Sequence, residues 1–282
     1  MLQTPGLSVN SVSVRAQAGP LIVAHRGEWA EMPENSIAAI EAARAAGAHM
    51  VEFDVQPCAD GDLVVIHDET LDRTTNGAGP VAEMSFADIR TLNLRAGPGG
   101  DGAALTGLGV PTLPEALEAA RGQILVNVDT KFVRDLDRVA ETVLSLGMAD
   151  QVVLKGPIDV DGNNDVFREA PWYGRIPFMP IMPARPGRFA EDAARVIDDL
   201  KPVMLEIDFS NLEDVIAARS VLVERGVRLW TNTLDIVHSL DYSDSRALSE
   251  PGTVWGTLIA AGITVLQTDR SAALARYLAG AR

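Results

Sequence analysis

Leu21-Ile22-Val23-Ala24-His25-Arg26-Gly27 is a short apolar run that ends in titratable groups, and an Ala-rich helical stretch follows it over 36–47. The pattern recurs. Apolar runs at 51–55, 124–128, 151–155, 178–182, 204–209, 228–232 and 264–268 alternate with helical patterns at 112–121, 135–147, 163–170, 190–200, 213–225, 246–261 and 271–279. Strands that are apolar on both faces and alternate with helices predict a parallel sheet. Eight such units predict an α/β fold, a (β/α)8 TIM barrel. An open doubly wound sheet would have fewer strands and a Gly-rich first turn, which this chain lacks.

One unit is irregular. Between Glu69 and Val110 the chain is rich in Gly, Thr and Asn, as in Arg73-Thr74-Thr75-Asn76-Gly77 and Gly97-Pro98-Gly99-Gly100. That is too long for an ordinary strand-to-helix loop. It reads as a small insertion after the second strand region, about 69–110, lying over the barrel mouth. Residues 21–282 then form a single barrel, and residues 1–20 a flexible N-terminal arm. Helix punctuation agrees with this register. Ser36 is placed to cap a helix that Gly47 stops, and Thr112 with Glu115 spells a capping box. Pro251 is expected to open or split the last long helix.

Composition sets further bounds. The chain has 282 residues, 47% of them hydrophobic, with 24 basic against 39 acidic residues and a net charge of −15. Such a surface repels nucleic acid and anionic membranes, so a phosphate-bearing substrate would need local positive charge. One cysteine, Cys58, excludes an intramolecular disulfide and reads as an inert thiol. No apolar stretch is long enough for a transmembrane segment. Met1 to Pro20 lacks the basic start and apolar core of a signal peptide. The expected location is cytoplasmic, or periplasmic or secreted if a signal preceded this numbering.

The chemistry gathers at strand ends. Successive side chains on a strand alternate faces, so Glu52 and Asp54 in Val51-Glu52-Phe53-Asp54-Val55 point the same way. Asp129 and Lys131 repeat that spacing, as do Glu206 and Asp208. In a barrel these groups meet at the C-terminal mouth. Crowded carboxylates would be driven to protonate unless compensated, and a hard divalent cation held by oxygen ligands compensates them. Glu52, Asp54 and Asp129 are the expected ligands. The competing reading is a ring of salt bridges with Arg26, Lys131 and Lys155. His25 and His67 end neighbouring apolar runs beside these acids and suit proton transfer. His49 and His238 read as surface or packing residues. Arg26 and Lys131 suit a phosphoryl group. Trp230, at the end of the seventh run, is placed either to pack a substrate's apolar part or to fill the core. No serine elbow, Walker loop, Cys/His zinc cluster or dinucleotide-binding turn is present.

Taken together, the motifs resemble the glycerophosphodiester phosphodiesterase family from His25 nearly to the C-terminus. His25-Arg26-Gly27 with Pro33-Glu34-Asn35-Ser36 is similar to its opening motif. Glu52-x-Asp54 is similar to its metal pair, and His67-Asp68 followed by Thr70 to Gly77 to its second histidine segment. Pro111 to Glu115 and Gln267-Thr268-Asp269-Arg270 also fit. The pattern departs at Asp129, where the family more often carries Glu. The resemblance implies a TIM barrel, one divalent ion (Mg2+ or Ca2+) on Glu52, Asp54 and Asp129, and acid/base catalysis by His25 and His67. Arg26, Lys131 and Trp230 would contact a small-molecule phosphodiester, with no nucleic acid as partner. Hydrolysis would release glycerol phosphate and an alcohol. The alternatives are a lysophospholipase D or sphingomyelinase D-like enzyme, or a non-catalytic barrel that binds phosphorylated ligands.

Overall fold

The structure is a computed structural model and describes residues 7–14 and 19–280. Its strands are β1 Leu21–Ala24, β2 Met50–Pro57, β3 Leu63–Val65, β4 Leu125–Thr130, β5 Val152–Pro157, β6 Phe178–Ala184, β7 Met204–Phe209, β8 Arg228–Leu234, β9 Val237–His238 and β10 Val265–Thr268. Parallel pairing runs β1-β2-β4-β5-β6-β7-β8-β10, and β10 pairs back onto β1. The eight strands therefore close into the predicted (β/α)8 barrel. β3 and β9 stand outside the ring as antiparallel flaps on β2 and β8.

The helices are α1 Val9–Val14, α2 Ile37–Ala45, α3 Phe86–Ile89, α4 Leu113–Ala120, α5 Leu136–Ser145, α6 Asp165–Arg168, α7 Phe189–Leu200, α8 Leu212–Arg225, α9 Asp244–Ser249, α10 Thr257–Ala261 and α11 Ser271–Gly280. Their starts follow local chemistry. The Ser36 hydroxyl accepts the Ala39 N–H at 3.1 Å, and Thr112 and Glu115 form the full capping box. Each such cap contributes about 1 kcal/mol.

Two expected helices come out differently. The 163–170 segment shortens to α6, because Asn163 turns back on the Asp165 amide before it and Pro171 follows it. The 246–261 segment breaks at Pro251, which supplies no N–H to the preceding turn. A π-helical turn, Gly252–Gly256, takes up the mismatch before α10.

Alternation on the strands sorts the side chains into two cores. Outward residues such as Ile22, Val51, Phe53, Val126, Leu154, Ile207 and Leu229 pack against the helices. Inward residues at the N-terminal strand ends (Leu21, Val23, Met50, Leu125, Val153, Met179, Met204, Trp230 and Val265) form an apolar floor. Val9 of α1 joins that floor and its N–H donates to the Asp150 carbonyl at 2.7 Å, so this part of the expected flexible arm is packed. Residues 1–6 and 15–18 of the arm lie outside the described residues. The stretch between β3 and β4 has a small core of its own, built on Leu71, Val81, Ile89, Leu94 and Val110.

Candidate active site

Gly27 ends the first strand with a turn that only glycine fits. Its φ is +86°, and an added Cβ would stand 2.6–2.8 Å from atoms of Ala39. Arg26 beside it is also left-handed, at φ +57°. The turn is held because the Arg26 N–H donates to Glu52 Oε2 at 3.0 Å and its guanidinium donates to Glu34 Oε1 at 3.0 Å. Asn35, left-handed at φ +56°, forms a two-way clasp on Asp54. Its amide donates to Asp54 Oδ2 at 2.8 Å, and its carbonyl accepts the Asp54 N–H at 3.0 Å. The loop after β1 thus fixes both carboxylates of β2.

Glu52, Asp54 and Asp129 each offer an oxygen within 4.8 Å of the other two. Asp54 and Asp129 are direct neighbours in the β2–β4 register, and Glu52 stands opposite Asn127. Charge compensation by Arg and Lys is also in place. Arg26 Nε is 3.2 Å from Asp54 Oδ2, and Lys155 Nζ is 2.9 Å from Asp129 Oδ2. Burial, and then the charge of Asp54, push the Glu52 carboxyl well above its usual range. Burial also raises Asp54, but Arg26, the two histidines and Asn35 outweigh it and leave Asp54 below its usual range. Lys155 is held above its ordinary value: burial opposes the charge, and Asp129, Glu206 and Glu52 more than offset it.

These residues fit a hard divalent ion. The donor set is three carboxylates with no sulfur or imidazole among them. Buried polar atoms without a hydrogen bond surround it: Arg26 Nε, Asn127 Oδ1 and Glu206 Oε2. One other group among the described residues, Cys58, Asp60 and Asp62, has comparable spacing, but both its acids are exposed on a turn.

The histidines face a cavity of about 320 Å3 over the barrel mouth. His25 Nδ1 is 2.7 Å from Asp269 Oδ1, at the end of β10. His67 Nδ1 is 2.8 Å from Asp68 Oδ1. In each ring the carboxylate fixes Nδ1, which leaves Nε2 for a reacting group. Arg73 donates to both Asp68 oxygens at 2.7 and 2.8 Å and holds that carboxyl far below its usual range. Arg73 also reaches Glu34, so Glu34 ties the two arginines together. Gln56 supports the His67 loop by donating to the carbonyls of Ile66 and Asp68 at 3.1 and 2.7 Å. Trp29, Pro98 and the exposed Ile236 complete the cavity rim.

Four of the sequence-derived candidates converge with the histidines: Arg26, Glu52, Asp54 and Asp129. Lys131 follows β4, where its backbone N–H donates to the Val55 carbonyl at 3.0 Å. Trp230 does not reach the mouth. It is fully buried in the floor, and its indole N–H donates to Asn232 Oδ1 at 2.9 Å. Its place on β8 is one alternation below the rim, which an end-of-strand reading overestimates. Sequence reasoning missed Glu34, Asn35, Asp68, Arg73 and Asp269 as site residues. All lie in the motifs that carry the family resemblance, but only contacts across the mouth reveal what they hold.

A family model described as the glycerophosphoryl diester phosphodiesterase family matches residues 25–161. The fold also aligns with the crystal structure of a glycerophosphodiester phosphodiesterase from Agrobacterium tumefaciens, with a TM-score of 0.65 and 28% identity over 91% of this chain and 99% of that one. Residues 25–161 therefore match the glycerophosphodiester phosphodiesterase family, and the chain shares the fold of one of its solved members. A second model, for a domain of unknown function, matches residues 178–278. A curated glycerophosphodiester phosphodiesterase of Caldanaerobacter subterraneus subsp. tengcongensis is 46% identical over 112 residues, 39% of this chain and 45% of its own length. The chain spans about half the length of the curated relatives it matches. A phosphodiesterase of Oleispira antarctica, solved with the product sn-glycerol-3-phosphate, shares the fold at TM-score 0.66 and 22% identity, over 94% of this chain and 99% of that one.

Proposed function

We propose that the chain is a glycerophosphodiester phosphodiesterase that hydrolyses glycerophosphodiesters to glycerol phosphate and an alcohol. One observation carries the reading. Two imidazoles, each oriented by its own carboxylate, open onto a single cavity beside a nest of three convergent carboxylates.

Glu52, Asp54 and Asp129 would hold one Mg2+ or Ca2+ ion, which when bound supplies Lewis-acid polarisation of the phosphoryl oxygens. Arg26 and Lys131 add positive charge for the phosphoryl group. His25 is the less exposed ring, and its Nε2 takes the proton from the attacking oxygen. His67 is the more exposed, its side chain 37% accessible, and it returns a proton to the departing alcohol, which leaves toward solvent. The substrate is a small molecule, and the acidic surface disfavours nucleic acid.

The apolar rim of Trp29, Pro98 and Ile236 favours a second reading, a lysophospholipase D or sphingomyelinase D-like enzyme whose substrate carries a lipid tail. A panel of glycerophosphodiesters, lysolipids and a chromogenic diester separates the two when each is assayed with Mg2+, Ca2+, Mn2+ and chelator. Turnover of water-soluble diesters that chelator abolishes is expected. Turnover of lysolipids alone would replace the first reading with the second, and no turnover of any diester would leave a binding barrel.

A further inference from the structure

Lys155 lies inside the barrel on β5, one position past the last paired residues of β4 and β5, Val128 and Leu154. It is only 6% exposed and does not line the cavity that the histidines face. Its ammonium sits between two carboxylates: Asp129 Oδ2 at 2.9 Å and Glu206 Oε2 at 3.5 Å. These two acids are held differently. Glu206 Oε1 accepts the Asn232 amide at 2.9 Å, and Asn232 Oδ1 accepts the Trp230 indole N–H at 2.9 Å, so Glu206 is braced on the rigid floor. Its second oxygen, Oε2, is buried and makes no hydrogen bond. Oε2 meets the ammonium only at this longer range, so the lysine is closed onto Asp129 and held loosely by Glu206.

The charge balance explains the arrangement. Two cations, Arg26 and Lys155, serve the three carboxylates of the nest. A divalent cation on Asp129 would meet the Lys155 ammonium at close range, and their repulsion is twice that of two unit charges. Lysine ends a flexible four-carbon stem, and the second Glu206 oxygen is already within reach. We propose that Lys155 competes with the divalent cation for Asp129, and that Glu206 receives the ammonium when the cation wins. Lys155 and Glu206 are thus positioning residues that set the metal affinity of the site without being ligands. This rests on the reading of Glu52, Asp54 and Asp129 as the metal ligands.

The test measures equilibrium binding of Mg2+ and of Ca2+ alone to the full chain by titration calorimetry, with no substrate. Lys155→Met should tighten binding about tenfold, and Glu206→Gln should weaken it by a similar factor, within the usual range of coupling between sites. The double variant should bind like Lys155→Met, because Glu206 acts only through the lysine. Unchanged or weaker binding by Lys155→Met overturns the proposal, as does a Glu206→Gln defect that persists in the double variant. If Lys155→Met does not fold, Glu206→Gln decides alone: weaker binding supports the proposal and unchanged binding overturns it. Glu52→Gln separates the two levels. If the parent binds no cation, the ligand reading fails and the proposal with it. If the parent binds, Glu52→Gln does not, and Lys155→Met equals the parent, only the proposal fails.

Discussion

His25 Nδ1 and Asp269 Oδ1 stand 2.7 Å apart although 244 residues separate them along the chain. The pair joins the C-terminal ends of β1 and β10, the two strands whose pairing closes the barrel. Ring closure is therefore also what sets the imidazole. Asp269→Asn should keep the fold but lose the preference for the tautomer that frees Nε2 as a base. The expected result is a fall in kcat of about 10³-fold or more with KM little changed. A variant with parental kcat would remove Asp269 from the machinery.

The two histidines should separate by leaving group. Replacing either with Ala should reduce turnover of an alkyl glycerophosphodiester by at least about 10²-fold, the usual worth of one acid or base. With a nitrophenyl diester, whose leaving group needs no proton, His67→Ala should recover most of its rate and His25→Ala should not. Recovery by His25→Ala alone would exchange the base and the acid, and equal recovery by both variants would leave neither histidine with a distinct role.

Glu34 receives Arg26 at 3.0 Å and Arg73 at 2.7 Å while only 3% exposed. Glu34→Gln keeps the shape but leaves two guanidinium groups short of charge. Removing one partner of a buried ion pair costs about 3–5 kcal/mol. A drop of that order in unfolding free energy is expected from denaturant titration. Activity should fall as well, because Asp68 and His67 lean on the same Arg73. A loss below about 1 kcal/mol would show that the pair contributes no more than a surface bridge.

The barrel was legible because its signal is local. Every barrel strand is a mainly buried run, open only toward its C-terminal end where it is open at all, and each falls within a few residues of its expected bounds. The carboxylate nest was legible for the same reason, since alternation alone puts Glu52 with Asp54. Hidden from the sequence was everything decided by distance along the chain. Asn35 clasps Asp54, Lys155 bridges Asp129 and Glu206, and Asp269 reaches His25. None of these pairs has a spacing that a period can announce. Trp230 shows the converse error. A run's last residues are read as its mouth, but β8 extends to Leu234 and carries the indole down into the floor.

Asp244 makes the stability depend on pH in a direction opposite to most acids. It has no exposed surface, accepts the Thr233 and Thr268 hydroxyls at 2.6 Å each, and accepts the Asp269 N–H at 2.7 Å. Burial pushes its carboxyl up to about 7, and these hydrogen bonds only partly oppose the shift. In the unfolded chain the same group titrates near its ordinary value of about 3.9. Between those two values the folded state holds a proton that the unfolded state has released. Its contribution is thus fully present at the acid end, declines as pH rises through the window, and is gone above about 7. The limiting slope from this one group is about 1.4 kcal/mol per pH unit. Asp244→Asn is neutral throughout, so the comparison cancels the other titrating groups. Denaturant unfolding of both proteins at intervals from pH 4.5 to 8 should show the variant gaining on the parent until about pH 7 and running parallel to it beyond. A constant difference across the whole range would mean that Asp244 is already charged at the acid end, held by its two threonines.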